Sequence, residues 1–243
     1  MATEPKVLII IPTYNERDNI PLIIPQIKKR LPKAHILIVD DNSPDGTSQI
    51  AKDMSKNIDG IFVLDRCKKD GLGKAYIAGF KWALEDDKKY DLIFEMDADF
   101  SHNPDYLPNF IEAAQTADLV IGSRYIDGKV NVVNWPLKRL LLSYFGNMAA
   151  RFIAGIKIMD CTGGFKCFRV DTLRAINLDG VASSGYSFQV EMNYYVQKKG
   201  LKIKEIPIIF KDRELGVSKM SSKIVSEALA LLWKLRLKSL FTK

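Results

Sequence analysis

Apolar residues in the first half of the chain fall in short unbroken runs, separated by stretches with helical spacing. Val7–Ile11, Ile36–Val39, Ile61–Leu64, Leu92–Met96 and Leu119–Gly122 are rich in β-branched side chains. Such runs mark strands covered on both faces, as in a parallel sheet. Between them, Asn19–Leu31, Gly73–Leu84 and Asp105–Gln115 carry the helical period. A further helix is expected to open at Ser43-Pro44-Asp45-Gly46, with Ser43 as N-cap and Pro44 at the first helical position. Strands alternating with helices of this length predict an α/β fold: a mostly parallel, doubly wound, Rossmann-like sheet flanked by helices.

After Gly122 the pattern changes. Leu137–Ile156 is helical and conspicuously apolar, Asp160–Phe168 is broken by glycines, and Phe188–Lys198 is helical. Lys202–Phe210 alternates like an edge strand, and Ser221–Leu240 forms a last helix with Lys223, Lys234 and Lys238 around it. No repeat, low-complexity linker or composition shift divides the chain. Residues 1–243 therefore read as one domain, with a nucleotide-binding half, 1–123, and a half that meets the other substrate, 124–243.

With 243 residues, 47% of them hydrophobic, the chain can bury a full core. Lys and Arg number 36 against 29 acidic residues, a net charge of +7. That excess suits a phosphate compound, a nucleic acid or an acidic membrane surface. Cys67, Cys161 and Cys167 lack both a disulfide framework and zinc-site spacing, so reduced thiols are expected. Met1–Lys6 shows no signal-peptide pattern. No uncharged stretch reaches the roughly 20 residues that span a bilayer; the longest, Leu140–Ile156, is interrupted by Arg151. Apolar helices flanked by Lys and Arg suit shallow insertion into an anionic membrane. That reading is favoured for Leu137–Ile156, and a core role for the final helix.

Chemistry concentrates where strands end. Asp97 and Asp99 follow Leu92–Met96 and offer two hard oxygen ligands, suited to Mg²⁺ or Mn²⁺ with positions left for phosphate oxygens. This is the crevice at strand carboxyl ends where open α/β sheets bind ligands. The loops Pro12–Glu16 and Val39–Thr47 reach the same edge, where a tyrosine and a carboxylate can stack on a base and accept its hydrogen bonds. Each loop alone is ordinary turn chemistry; three converging, one with a carboxylate dyad, indicate a nucleotide site. Gly71-Leu72-Gly73-Lys74 is not a P-loop, because Ala75 stands where a magnesium-binding hydroxyl is needed. It is expected to shape a loop beside the donor and open a helix. His35 and His102 have no nucleophile arrangement around them, which excludes triad hydrolysis.

Pro12-Thr13-Tyr14-Asn15-Glu16, Asp40–Thr47 and Asp97-Ala98-Asp99 together resemble glycosyltransferase family 2, and within it the dolichyl- and polyprenyl-phosphate mannose synthases. The similarity continues through Gly122–Tyr125, Trp135–Arg139, Thr162–Lys166, Tyr186–Met192 and Asp212–Lys219. It implies a GT-A fold and inverting transfer of mannose from GDP-mannose to dolichyl or polyprenyl phosphate at the cytoplasmic face of a membrane. Peripheral attachment, help from small membrane subunits and no nucleic-acid partner belong to the same expectation. By position, Pro12, Tyr14, Glu16, Val39 and Asp41 would contact the guanosine, with Ala98 also in the donor site. Asp97 and Asp99 would hold Mg²⁺ or Mn²⁺, with Ser101 where some relatives place a third ligand. Arg124, Arg139 and Ser143 would hold the lipid phosphate. Arg213 and Lys219 would join Asp99 at the transfer point. Gly164, Lys166 and Tyr144 depart from the family's usual serine, arginine and arginine.

The chemistry agrees with this expectation. A phosphate monoester is mostly dianionic at neutral pH and needs no base to become a nucleophile. The protein must bring two anions together and stabilise a departing diphosphate, which demands cations. The same reading admits glucose transfer from UDP-glucose. A nucleotidyltransferase would need a glycine- and arginine-rich first loop, which Pro12–Glu16 is not. Intact Asp97 and Asp99 argue against a non-catalytic binding subunit.

Overall fold

A computed structural model describes residues 4–85, 89–126, 128–183, 185–211 and 222–241. Its elements in chain order are β1 (Val7–Thr13), α1 (Ile20–Arg30), β2 (His35–Asp40), α2 (Thr47–Ser55), β3 (Ile61–Asp65), α3 (Leu72–Ala83), β4 (Leu92–Glu95), α4 (Leu107–Ala114) and β5 (Leu119–Ser123). There follow β6 (Tyr125–Ile126), β7 (Lys129–Val130), β8 (Val132–Val133), α5 (Leu137–Ala154), β9 (Lys166–Arg169), α6 (Val170–Ala175), α7 (Tyr186–Lys198), β10 (Ile203–Pro207), β11 (Phe210–Lys211) and α8 (Ser222–Phe241).

Seven strands form one sheet in the order β10-β5-β9-β4-β1-β2-β3. Only β9 runs antiparallel, between β4 and β5. All the apolar runs read as strands are strands, and β1 and β2 are buried nearly throughout. One apolar core, on the α3, α5, α7 and α8 side, takes Leu8, Ile10, Leu37 and Val39. The other, on the α1, α2 and α4 side, takes Ile9, Ile11, Ile36 and Ile38. Alternate residues of each strand thus feed opposite layers, as the pleat requires.

Two expectations change. The helix expected at Ser43 begins at Thr47, because Gly46 adopts φ 87°, a left-handed conformation. Asp45 does the capping instead: its Oδ1 accepts from Thr47 N–H at 3.0 Å and from Thr47 Oγ1 at 2.6 Å. The glycine-broken stretch 160–168 also hides a central strand, β9. Lys166 and Arg169 at its ends break the apolar run that betrays the other strands, although Lys166 is fully buried. The sheet consequently takes strands from both 1–123 and 124–243.

Candidate active site

Parallel β1 and β2 end together, Pro12 in register with Val39 and Thr13 with Asp40. Asp40 knots the two loops. Its Oδ1 accepts from Thr13 Oγ1 (2.7 Å) and Ser43 Oγ (2.6 Å), and its Oδ2 from Ser43 N–H (2.8 Å). Ser43 Oγ in turn accepts from Asn15 N–H, and Thr47 Oγ1 from Glu16 N–H, each at 3.0 Å. Tyr14 and Glu16 are therefore carried on backbone laced to the loop bearing Asp41. Asn15 (φ 61°) and Asn42 (φ 57°) sit in the left-handed region, which asparagine tolerates better than most residues.

Val39 is buried, whereas Tyr14 stands at the surface with Lys69 Nζ 3.6 Å from its ring centre. Asp41 is already engaged: it accepts from Arg66 Nη1 at 2.5 Å and Asp70 N–H at 3.3 Å. Burial raises its pKa, and the Arg66 charge only partly offsets that. A donor base reaching Asp41 must share this carboxylate with Arg66.

Asp97 and Asp99 lie just past β4, with Phe100 left-handed at φ 61°. Asp97 Oδ1 accepts from Tyr76 Oη (3.2 Å), a fully buried phenol from α3. Burial pushes that phenol well above its ordinary pKa, and the charges of Asp97, Glu95 and Asp99 push it further. The Asp97 N–H donates to His102 Nδ1 at 2.9 Å, which assigns the ring proton to Nε2, 4.0 Å from Asp97 Oδ2. Asp99 Oδ1 accepts from Ser101 N–H (3.1 Å) and Ser101 Oγ (2.6 Å). Ser101 is buried with its hydroxyl proton given to Asp99. Its hydroxyl thus orients the Asp99 carboxylate while the oxygen keeps its own lone pairs. Among the described residues no three His, Cys, Asp or Glu side chains gather into a ligand set. Two hard carboxylate oxygen donors fit Mg²⁺ or Mn²⁺, which readily take one or two carboxylates and fill their shell with phosphate and water.

β5 ends at the same edge, and there Arg124 is engaged by partners within the protein. Its Nε donates to Asp160 Oδ2 (2.7 Å) and its Nη2 to Asp160 Oδ1 (2.6 Å) and Thr162 Oγ1 (2.8 Å). Both partners of this fork are buried, and Tyr125, Trp135 and Phe210 ring the guanidinium at 5.3–5.6 Å. Arg124 thus joins β5 to the segment before β9 and commits its Nε and Nη2 to protein partners. Arg139, in the first turn of α5, lies over Trp135 at 4.3 Å, partly exposed. Ser143 sits one turn later, also partly exposed. Phe210 links the two sides, its ring 5.9 Å from that of His102 and 5.5 Å from that of Trp135. An unbroken run of rings thus connects the Asp97 loop to Arg139. Arg213 and Lys219 lie outside the described residues.

The model of glycosyl transferase family 2 matches residues 8–176. The chain belongs to glycosyltransferase family 2. The undecaprenyl-phosphate mannosyltransferase of Micrococcus luteus is 49% identical over 223 residues, which covers 92% of this chain and 90% of that protein. The polyprenol monophosphomannose synthase of Mycolicibacterium smegmatis is 45% identical over 226 residues, covering 92% and 84%. Glucosyl-3-phosphoglycerate synthase from Mycobacterium tuberculosis, solved with Mn²⁺ and UDP-glucose, superposes with a TM-score of 0.64 at 15% identity, over 97% of this chain and 78% of that one. That likeness speaks for the GT-A fold alone.

In this family 2 chain, several residues that shape the site escaped the sequence reading. Tyr76 and His102 hold Asp97, and Arg66 holds Asp41. Beneath the dyad, Glu95 of β4 faces Lys166 of β9 in register. Gln189 Nε2 donates to Glu95 Oε2 (2.7 Å), and Lys166 Nζ to the Gln189 carbonyl (3.1 Å). Burial pushes Glu95 up to about 7 and pulls Lys166 down to about 8, each against the attraction of the other. Helical spacing puts Tyr76 on the buried face of α3, but no local signal aims it at Asp97. The Gly71–Lys74 stretch opens α3 as expected. Gly73 has a packing reason to be glycine, since a Cβ there would meet the Ser183 carbonyl at 2.7 Å and Phe188 Cβ at 2.9 Å.

Proposed function

We propose that the chain transfers mannose from GDP-mannose to a dolichyl or polyprenyl phosphate, with inversion, at the cytoplasmic face of a membrane. Mannosyl transfer to a polyprenyl carrier is supported by the names of both relatives. The observation that carries the reading is the run of rings joining the carboxylate edge to Arg139 on α5. It supports a reading in which the diphosphate-binding end and the acceptor end lie close together. α5 exposes Leu137, Leu141, Leu142, Tyr144, Phe145, Met148 and Phe152. α8, read from the sequence as core, exposes Leu229, Trp233 and Leu237 one turn apart while burying Leu232 and Leu235. Among the described residues no helix is long and apolar enough to cross a membrane. Two neighbouring helices with apolar outer faces suit a protein lying on a bilayer and receiving a lipid there.

The roles of the residues follow. Tyr14, Glu16 and Asp41 bind the nucleoside, and Arg66 tunes Asp41. Asp97 and Asp99 hold Mg²⁺ or Mn²⁺, which when bound neutralises charge on the leaving diphosphate. Tyr76, His102 and Ser101 keep the two carboxylates aimed. Arg139 and Ser143, on one face of α5, receive the acceptor phosphate. One phosphate oxygen then bonds to the anomeric carbon as the carbon–oxygen bond to the diphosphate breaks. The electron pair leaves with GDP, and no proton needs removing because the acceptor arrives ionised. Attack opposite the leaving group gives inversion.

The test is incubation with polyprenyl phosphate in vesicles, Mg²⁺ and labelled nucleotide sugars. Label should enter the organic phase from GDP-mannose. Labelled lipid from UDP-glucose but not GDP-mannose would transfer the assignment to a glucosyltransferase. No labelled lipid from any donor would overturn it.

A further inference from the structure

A cavity of about 520 Å³ opens beside the second half of α5, away from Asp97 and Asp99. Tyr144, Met148 and Phe152 form one wall, spaced four residues apart on the helix, and Met159 stands in the turn opposite. Arg151 and Lys157 border it, both exposed, and among the described residues neither has a carboxylate within 4 Å. Among the described residues no acidic side chain lines the cavity. The carboxylate of Glu205, near its floor, is occupied by the backbone N–H groups of Met159 (2.8 Å) and Asp160 (2.9 Å). The cavity is therefore a cationic, apolar-walled recess, and its rim residues Tyr144, Met148 and Phe152 belong to the exposed apolar face of α5.

We infer that this recess binds the phosphodiester headgroup of an anionic phospholipid. Arg151 and Lys157 meet the phosphate, while Met148, Phe152 and Met159 meet the glycerol and the first acyl carbons. Its volume lies in the range that encloses small ligands, and two cations with no acidic partner among the described residues provide the charge complementarity. An acceptor monoester belongs instead to Arg139 and Ser143, two turns or more toward the start of α5. Occupied by a bilayer lipid, the recess would fix how α5 lies on the surface, and hence where the acceptor phosphate arrives. The inference rests on the membrane-surface reading.

Two measurements test it. In flotation with vesicles of phosphatidylcholine alone, or of phosphatidylcholine mixed with phosphatidylglycerol, wild-type protein should bind the anionic vesicles more tightly. Arg151→Gln/Lys157→Gln should lower that affinity by about tenfold or more, at roughly fivefold per cation near an anionic surface. Lys29→Gln/Lys33→Gln, an equal charge change in the opposite helical layer, should lower it less than about twofold. Equal losses in both double variants would reduce the effect to net charge and overturn the headgroup site. Binding to neither vesicle would sink the membrane reading itself. Equal binding to both would keep that reading and refute the site. The second measurement titrates dihexanoylphosphatidylglycerol, below its micellar concentration, while following the methionine methyl resonances. Saturable shifts at Met148 and Met159, absent in Arg151→Gln/Lys157→Gln, are expected. Matching shifts from dihexanoylphosphatidylcholine or from inorganic phosphate would refute a phosphodiester site.

Discussion

Along the carboxyl ends of β1, β2 and β4, polar side chains bind one another and the backbone at short range. Asp40, Ser43, Thr47, Asp45 and Ser101 all make such bonds to loops at this edge. Along α5 and α8, large apolar side chains stand in solvent, and Arg139 lies over the Trp135 ring. The first region is organised before any ligand arrives, as electrostatic stabilisation of a leaving diphosphate requires. The second leaves apolar area uncovered, which in water is a standing loss of roughly 25 cal/mol per Å² until another apolar phase covers it. One end is thus rigid and polar and the other leaves apolar area bare; under the proposed function the first holds a small anion and the second meets an extended surface. Arg124 marks the boundary between them, lying toward the acceptor side but paired as tightly as anything at the donor edge.

The largest expected effect breaks that boundary. Arg124→Met should lower stability by about 3–5 kcal/mol in urea unfolding, because it strands a buried Asp160. A loss below about 1 kcal/mol, with acceptor affinity alone impaired, would return Arg124 to the phosphate. The pair also sets an acid limit. Burial would raise the Asp160 pKa, but the Arg124 charge and hydrogen bonds overcome it, and the net shift is downward. A carboxyl depressed on folding contributes stability above its unfolded pKa of about 3.9 and loses it as pH falls through the lower folded value. Wild-type protein should shed this increment below about pH 4, and Asp160→Asn should show a flatter acid limb in the same range.

Next in size, Asp99→Asn should reduce kcat on the order of 10²–10³-fold, the scale for losing one preorganised electrostatic partner, and weaken Mn²⁺ binding. Wild-type turnover in Asp99→Asn with chelator present would remove the metal from this edge. Asp41→Ala should weaken GDP by about 1.5–3 kcal/mol, the worth of a hydrogen bond to a charged group. Calorimetry on Asp41→Ala/Arg66→Ala separates nucleotide contact from relief of a stranded arginine: full recovery in the double variant would leave Asp41 a purely structural role. The smallest effect sharpens the contrast at the other end. Arg139→Ala should raise the Michaelis constant for polyprenyl phosphate about tenfold, roughly 1.4 kcal/mol, and leave that for nucleotide sugar unchanged. Equal changes in both constants would show that the two ends do not act separately.

Five of the seven main strands were legible as apolar runs. β1, β2, β4 and β5 are buried nearly throughout and have no polar side to alternate with, while edge strand β3 kept an apolar run though only Ile61 of it is buried. The loops at their ends were legible because turn residues and carboxylates crowd there. What stayed hidden depended on partners far along the chain. Asp160 meets Arg124 across 36 residues and Gln189 meets Glu95 across 94. Lys166 lies in a central strand in register with Glu95 and donates to the Gln189 backbone carbonyl, so a buried polar group erased the apolar signature by which β9 could be found. Apolar spacing along the last helix likewise could not reveal which side would face α5 and which would stay bare. Local pattern reports whether a residue can be buried. Which charge neutralises which, and which apolar face remains uncovered, is decided only when the sheet brings distant segments within hydrogen-bond reach, since these interactions act over a few ångströms.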